Sequence, residues 1–214
     1  MPISSAEGRS AGSAALPASA EAASAASAAS AEAAEPIMLE LVDEDGRTIG
    51  TAEKLAAHVS PGRLHRAFSV FLFDDAGRLL LQRRALGKYH SPGVWSNTCC
   101  GHPYPGEPPF VAAARRTAEE LGAAPALLRE AGTVRYNHPD PLSGLVEQEY
   151  NHLFVGTVRA GLEPDPEEIE DTAFVTPAEL EKLMGEVTFS AWFSTVLDAA
   201  RPAVRELIGD GAGW

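Results

Sequence analysis

The stretch from Gly101 to Gly122 reads GHPYPGEPPFVAAARRTAEELG, and it sets the first expectation for the fold. Its second half predicts a helix over Phe110–Leu121, because apolar residues recur at the i, i+3, i+4 spacing of one helix face. That predicted apolar face consists of Val111, Ala114, Ala118 and Leu121. Gly122 ends the predicted helix, since glycine readily adopts the left-handed conformation that closes many helices.

The other face of the predicted helix is charged. Arg116, Glu119 and Glu120 fall together there, opposite the apolar stripe. Carboxylates in this arrangement can hold Mg²⁺ against phosphate oxygens. The alternative is a solvated face on which neighbouring side chains form ion pairs. On periodicity by itself, the solvated face is favoured.

Upstream of this helix lies a short segment, Thr98–His102, that we expect to be extended. Side chains alternate along an extended chain, so Cys100 and His102 share one side and Cys99 faces the other. A thiol and an imidazole on one side can form a metal-binding pair or an acid–base pair. The alternative is ordinary packing of a buried cysteine beside a histidine.

A second candidate pair precedes a later apolar run. Glu147 and Glu149 share one face of a predicted strand, separated by Gln148. Like charges on one face of a sheet repel each other, but a cation between them removes that objection. The alternative is a solvated sheet edge.

Histidines complete the candidate metal site. His58 and His65 lie on either side of the turn sequence Ser60-Pro61-Gly62, which can bring the two rings together. With the residues above they supply three nitrogens and two carboxylates, a set that suits Mn²⁺, Fe²⁺ or Zn²⁺. The proposed ligands are His58, His65, His102, Glu147 and Glu149. The remaining histidines, His90, His138 and His152, are interpreted as surface or packing residues.

Two regions of different composition divide the chain. Residues 1–36 are rich in alanine and serine and predict a disordered tail. Residues 37–214 predict a folded domain whose strands and helices are mixed, with hairpins rather than regular βαβ repeats, which favours an α/β or α+β sandwich. The last predicted helix spans Ser190–Leu207, with Ser190 as its N-cap and an interruption at Pro202.

The charge balance limits the partners. Lys plus Arg is 17 and Asp plus Glu is 30, a formal net charge of −13 that argues against binding to nucleic acid or an anionic membrane surface. An uninterrupted apolar stretch of about 18 residues is absent, so no bilayer-spanning segment is predicted. The two cysteines, Cys99 and Cys100, are adjacent and form no disulfide framework, which favours a reducing, cytoplasmic location.

The Gly101–Gly122 pattern resembles the Nudix box, in which glycine, five residues, glutamate, seven residues and arginine lead into a glutamate-rich helix. The match is partial, because Arg116 stands where the box has glutamate and Thr117 where it has an aliphatic residue. In Nudix hydrolases the missing glutamate helps to carry the metals for diphosphate cleavage. Its replacement by arginine argues against hydrolysis.

Four further segments look like type I isopentenyl-diphosphate delta-isomerase, a Nudix-related family of isoprenoid biosynthesis. They are Leu64–Ser69 (LHRAFS), Gln82–Ala85 (QRRA), Pro92–Pro103 (PGVWSNTCCGHP) and Gly144–Glu149 (GLVEQE). The resemblance covers roughly Ile37 to Ala200. It implies a Nudix-like α/β/α sandwich with a mixed sheet, and an enzyme that interconverts isopentenyl and dimethylallyl diphosphate through a carbocation-like state.

The resemblance also implies roles for individual residues. Cys100 and Glu149 would be the proton-transfer pair, Tyr136 would assist the carboxylate and Trp192 would face the carbocation. The five proposed ligands would bind Mn²⁺, Zn²⁺ or Fe²⁺, and Glu120 would hold Mg²⁺ against the substrate diphosphate. The cations matching the diphosphate clamp are Lys54, Arg84, Lys88 and Arg116. No flavin-binding pattern is present, so FMN is not expected. The alternatives are a Nudix-type diphosphate hydrolase and a metal-stabilised binding module without activity.

Overall fold

The computed structural model describes residues 36–214 apart from Tyr89, Leu142 and Ala160. The strands in this part of the chain are β1 Met38–Val42, β2 Thr48–Glu53, β3 His65–Phe73, β4 Leu79–Arg84, β5 Trp95–Ser96, β6 Cys99–Gly101, β7 Ala126–Pro139, β8 Val146–Thr157 and β9 Ile169–Val175. The helices are α1 Lys54–His58, α2 Pro109–Leu121, α3 Pro177–Glu186 and α4 Phe193–Ile208, followed by a 3-10 turn, Asp210–Ala212. The predicted tail lies outside the described residues, so the proposed division at residue 36 stays a prediction.

Strand β3 organises a mixed sheet. It runs parallel to β8 along its whole length, with His65 opposite Glu149 and Phe73 opposite Thr157. It is antiparallel to β1, β4 and β6. Strand β7 pairs with the outer side of β8, and β9 pairs with β4. Because β3 lies between its partners and under both helical layers, almost all of its side chains are buried.

Alternation along β3 feeds two apolar cores on opposite faces of the sheet. Phe68, Val70 and Leu72 pack with residues of α2. On the opposite face of the sheet, Phe71 and Phe73 pack with residues of α4. The sheet therefore lies between helices, as the predicted α/β/α sandwich requires.

Helix α2 buries a different face from the one predicted. Ala112 and Ala113 are fully buried, whereas Val111 is 49% exposed. Alanine is compatible with either face, so the hydrophobic pattern does not define the orientation of this helix. Thr117 is also buried, and its hydroxyl is satisfied by donating to the Ala113 carbonyl at 2.7 Å. The predicted end is confirmed, since Gly122 has a φ of 64° and a Cβ there would lie 2.6 Å from the Glu163 carbonyl oxygen.

Helix α4 also differs from its prediction, both in the residue at which it begins and in its course through Pro202. It begins at Phe193 rather than Ser190, and the Ser190 hydroxyl lies 2.9 Å from that of Ser96 instead of capping the helix. The helix continues through Pro202, which is on the exposed face. Proline lacks the N–H that would donate to the carbonyl of residue 198, one turn earlier. The helix tolerates this loss because both positions are on its exposed face. Among the described residues, no helix has the length and apolar character needed to cross a bilayer.

Candidate active site

A cavity of about 410 Å³ opens where β6, β8, α1 and α2 converge with the loop after β4. Residues singled out from the sequence make up most of its wall. They are Lys54, His58, Arg84, Lys88, Cys100, His102, Arg116, Glu120, Glu147, Glu149 and Trp192. His65 and Tyr136 lie behind this wall, where both contact Glu149. The structure thus brings together residues that lie more than 130 positions apart in the sequence.

Strand geometry selects which cysteine reaches the cavity. Cys100 lines it, whereas Cys99 points into the apolar layer under α2 and is fully buried. The alternation predicted for Thr98–His102 is therefore confirmed. Burial raises the pKa of the Cys100 thiol to about 12, so this group retains its proton near neutral pH.

Three histidines and two glutamates meet at the inner end of the cavity. One ligand-type atom from each of His58, His65, His102, Glu147 and Glu149 lies within 4.8 Å of all the others. His58 Nε2 is 3.1 Å from Glu147 Oε2, and His102 Nε2 is 3.2 Å from Glu149 Oε1. The parallel register of β3 and β8 explains part of this arrangement, because it places His65 directly beside Glu149.

The outer contacts of two histidines fix their tautomers. His58 Nδ1 lies 2.7 Å from the Lys54 carbonyl oxygen, and His65 Nδ1 lies 2.8 Å from that of Arg63. A carbonyl oxygen accepts and never donates, so Nδ1 carries a proton in both rings; Nε2 of His65 then turns its lone pair inward, and Nε2 of His58 faces Glu147. The Nε2 atoms of His65 and His102 are only 3.1 Å apart. This convergence of lone pairs and carboxylate oxygens fits a divalent cation.

Burial keeps His65 and His102 in the form that binds metal, whereas the contact with Glu147 raises the pKa of His58. The pKa of His65 is lowered to about 4, first by burial and then by the neighbouring His58. Burial and His65 also lower the pKa of His102 well below its usual range. Neutral imidazole is the ligand form, so neither ring must lose a proton to bind a cation near pH 7.

The two carboxyl groups differ in their partners. Burial opposes ionisation of Glu147, but hydrogen bonds from His58 and His90 outweigh it and hold the Glu147 pKa well below its usual range. Burial, followed by the charge of Glu147, raises the pKa of Glu149 well above its usual range. A bound cation would oppose this rise by favouring the carboxylate form.

Glu149 is held in place by two neighbours. The Tyr136 hydroxyl donates to Glu149 Oε2, and the Asn151 amide donates to the same oxygen at 2.8 Å. The Asn151 amide also lies 3.0 Å from the Tyr136 hydroxyl. Tyr136 was singled out from the sequence and Asn151 was not. Strand alternation alone could have indicated Asn151, since it shares a face of β8 with Glu147 and Glu149.

At the outer end of the cavity, Arg116 is paired with glutamates of its own helix. Arg116 contacts Glu119 at 2.9 Å, and it also donates to Glu120, which is almost fully buried. The solvated-face alternative therefore does not hold for Glu120, and its role as a Mg²⁺ ligand stays a prediction. Glu120 is buried because the rotation of α2 turns its carboxylate toward Gln82 of the sheet, 3.4 Å away.

Glu168 is a residue of this end that the sequence did not reveal. It forms an ion pair with Lys88 and lies 3.2 Å from Arg116. It precedes β9, which joins the sheet beside β4, and so reaches the cavity only through a distant strand pairing.

His90 corrects another interpretation made from the sequence. It is buried and belongs to the cavity wall, with Nδ1 2.9 Å from Glu147 Oε1. Its ring is stacked near Trp192, with centroids 5.9 Å apart and planes 25° from parallel. The surrounding loop contains glycine and proline without any periodic pattern, so its return to the site is not visible in the sequence.

The family model of the NUDIX domain matches residues 63–193. The crystal structure of a protein from Deinococcus radiodurans is similar, with a TM-score of 0.62 and 19% identity, and covers 76% of this chain and 98% of its own. At that identity the likeness concerns the fold. The class is therefore that of Nudix-fold proteins.

Closer relatives define the family within this class. The isopentenyl-diphosphate Delta-isomerase of Streptomyces coelicolor is 79% identical over 180 residues, which are 84% of this chain and 91% of that protein. The isomerase of the same name from Nocardia farcinica is 50% identical over 173 residues, 80% of this chain and 98% of that protein. The chain belongs to the isopentenyl-diphosphate Delta-isomerase family.

Proposed function

We propose that this enzyme interconverts isopentenyl and dimethylallyl diphosphate by transferring protons through Cys100 and Glu149. Family membership gives the isomerase activity and its place in isoprenoid biosynthesis. The observation that carries the residue assignment is that both groups line one cavity whose wall also carries basic side chains. A small diphosphate can enter with its charged end outward and its alkene between the two groups.

The proton balance of the reaction needs two groups. A proton is added to C4 of isopentenyl diphosphate, and the C3=C4 electron pair forms the new C–H bond. A proton then leaves C2, and its C–H electron pair forms the C2=C3 bond. One group donates and the other accepts, and the roles exchange in the reverse direction. Cys100 is protonated, and Glu149 has a carboxyl group whose orientation is fixed by Tyr136 and Asn151.

The positive charge that develops at C3 needs protection from water. Trp192 is 4% exposed and contributes an indole to the cavity wall. The face of an aromatic ring attracts a cation, and its apolar surface excludes water that would otherwise trap the carbocation. We assign this role to Trp192.

The donor set at the inner end fits a transition-metal ion. His58, His65, His102, Glu147 and Glu149 would hold Mn²⁺, Zn²⁺ or Fe²⁺, because imidazole and carboxylate ligands suit these ions. When bound, the ion supplies positive charge that favours the carboxylate form of Glu149 and fixes its direction. Mg²⁺ accompanying the diphosphate would contact Glu120 at the outer end.

Basic side chains explain how an acidic protein holds a diphosphate. Lys54, Arg84, Lys88 and Arg116 all line the cavity, and all four are partly exposed. Four local cations outweigh the distant surface charge, because screening at physiological salt limits long-range repulsion to roughly 8 Å. We assign these residues to diphosphate binding.

Hydrolysis by the Nudix route is disfavoured by Arg116. Its guanidinium contacts both Glu119 and Glu120 and stands in place of a third carboxylate on this helix. The helix therefore presents a mixed ion-pair cluster instead of a set of acidic ligands for several metal ions.

Product analysis in D₂O tests the proposal. The purified protein is incubated with isopentenyl diphosphate, Mg²⁺ and Mn²⁺, and the products are followed by NMR and by a phosphate assay. Deuterium in the new methyl group of an acid-labile allylic diphosphate, without phosphate release, is expected. Phosphate release would support the hydrolase instead, and binding without turnover would support a binding module.

A further inference from the structure

We propose that His90 is a positioning residue that joins the metal-binding carboxylate Glu147 to the aromatic wall formed by Trp192. This inference rests on the proposed function, because it concerns how two parts of the same site are aligned. His90 contacts neither the proposed tight metal position as a ligand nor the reacting carbons, so its effect would pass through its two neighbours.

The first link runs to the metal site. Each oxygen of Glu147 has a different histidine partner, since His58 Nε2 faces Oε2 at 3.1 Å and His90 Nδ1 faces Oε1 at 2.9 Å. If a cation takes the place of the His58 contact, the His90 contact remains and fixes the rotation of the carboxylate. A hydrogen bond to the oxygen on the far side of a ligand is the usual way to orient it.

The second link runs to the aromatic wall. The His90 ring is nearly parallel to the Trp192 indole, 5.9 Å from centroid to centroid. Arg84 also lies over the indole of Trp192, with its guanidinium carbon 6.0 Å from the ring centre. Trp192 is therefore bounded by an imidazole and a guanidinium, which restrict where its face can point.

A second buried carboxylate, Asp140, is the anchor on the other side of the His90 ring. His90 Nε2 lies 3.2 Å from Asp140 Oδ2. The same Asp140 oxygen accepts hydrogen bonds from the Ser91 hydroxyl at 3.1 Å and the Ser143 hydroxyl at 2.6 Å. His90 is thus held between two buried carboxylates, one in the turn before β8 and one in β8 itself.

The main-chain carbonyls of His90 and Ser91 hold Arg84, which belongs to the outer end of the cavity. Arg84 donates to the His90 carbonyl at 3.0 Å and to the Ser91 carbonyl at 3.1 Å. A side-chain substitution at residue 90 retains both carbonyls. We therefore expect it to affect metal retention and kcat while leaving diphosphate binding nearly intact.

Metal release from the full-length protein tests the first link. Protein carrying Mn²⁺ is mixed with excess chelator, and the Mn²⁺ that remains bound is measured over time after rapid gel filtration. His90→Ala should release Mn²⁺ about 10- to 100-fold faster than the wild type. His90→Asn should stay within about 3-fold, because the asparagine amide can occupy the position of Nδ1. His152→Ala is the matched control, since His152 contacts Arg66 on the other side of β8.

Steady-state kinetics test the second link. For His90→Ala we expect kcat to fall about 10- to 100-fold, with KM for isopentenyl diphosphate changed by less than about 3-fold. Asp140→Asn keeps the volume of the anchor and covers the case in which His90→Ala does not fold. It should release Mn²⁺ several-fold faster than the wild type.

The proposal is overturned if folded His90→Ala retains Mn²⁺ and kcat at wild-type values. If that variant does not fold, wild-type Mn²⁺ release by Asp140→Asn overturns it. Equal metal loss in His90→Asn and His90→Ala would also contradict it, because the donor position would then be irrelevant. Failure of the proposed function is distinguishable, since wild-type protein would then lack isomerase activity whatever the metal-release rates of the variants.

Discussion

The inner and outer ends of the cavity contain similar chemical groups in different surroundings. At the inner end His65 is 0% and Glu147 is 3% exposed, and the ring nitrogens of His65 and both oxygens of Glu147 each face a partner. At the outer end the side chains of Lys88 and Arg116 are 23% and 27% exposed. Burial makes ionic contacts strong and hard to rearrange, whereas partly exposed pairs are screened and exchangeable. The inner end is therefore suited to chemistry and the outer end to reversible binding of an anion.

The largest effect is expected at the inner end. Cys100→Ala should lower kcat by at least about 10²- to 10⁴-fold, because it removes one of the two proposed proton-transfer groups. Cys99→Ala removes a buried thiol from the opposite face, so it should cost about 1 kcal/mol of unfolding free energy and spare most activity. Kinetics and denaturant unfolding of both variants check this. An active Cys100→Ala beside an inactive Cys99→Ala would reverse the assignment.

Metal analysis separates the two ends directly. His65→Ala and Glu147→Ala should lose the proposed tightly bound transition metal and activity together, since each removes a proposed buried ligand. Glu120→Ala should retain that metal and mainly weaken the Mg²⁺-dependent binding of substrate. Metal content and the Mg²⁺ dependence of KM are measured on all three purified variants. Equal loss of the tight metal in all three would mean that the two ends form one metal site.

Charge reversal at the outer end should act on binding. Arg116→Glu is expected to raise KM at least about 10-fold, because it replaces a cation with an anion beside Glu119 and Glu120. Phosphate release is not expected, since hydrolysis also needs an aimed water molecule. Arg47→Glu, at a residue 74% exposed, is the control for the change in net charge. Rapid phosphate release by Arg116→Glu would show that one residue separates isomerase from hydrolase.

The smallest effect is expected at Glu168. Its carboxylate contacts Lys88 and Arg116 and so competes with an anionic substrate for them. Glu168→Gln should lower KM by about 1.5- to 5-fold, the range that partly exposed ion pairs contribute. An increase in KM would mean that Glu168 instead holds the two cations in their binding positions.

Local spacing in the sequence determined much of the site. The separation of Cys100 from Cys99 follows from strand alternation, and so does the shared face of Glu147 and Glu149. The end of α2 follows from the conformational freedom of Gly122. These features depend on neighbours one to four residues apart, so a periodic pattern is enough to predict them. Family motifs then identified further wall residues, such as Trp192.

Tertiary structure decided the features that depend on distant pairings. The alanines of α2 fit either face, so the packing of that helix on the sheet determined that Glu120 is buried. Glu168 enters because β9 pairs with β4, and His90 enters because its loop reaches Glu147. Such contacts depend on closing long loops around a packed core, and no periodicity within a few residues records which loop returns to which strand.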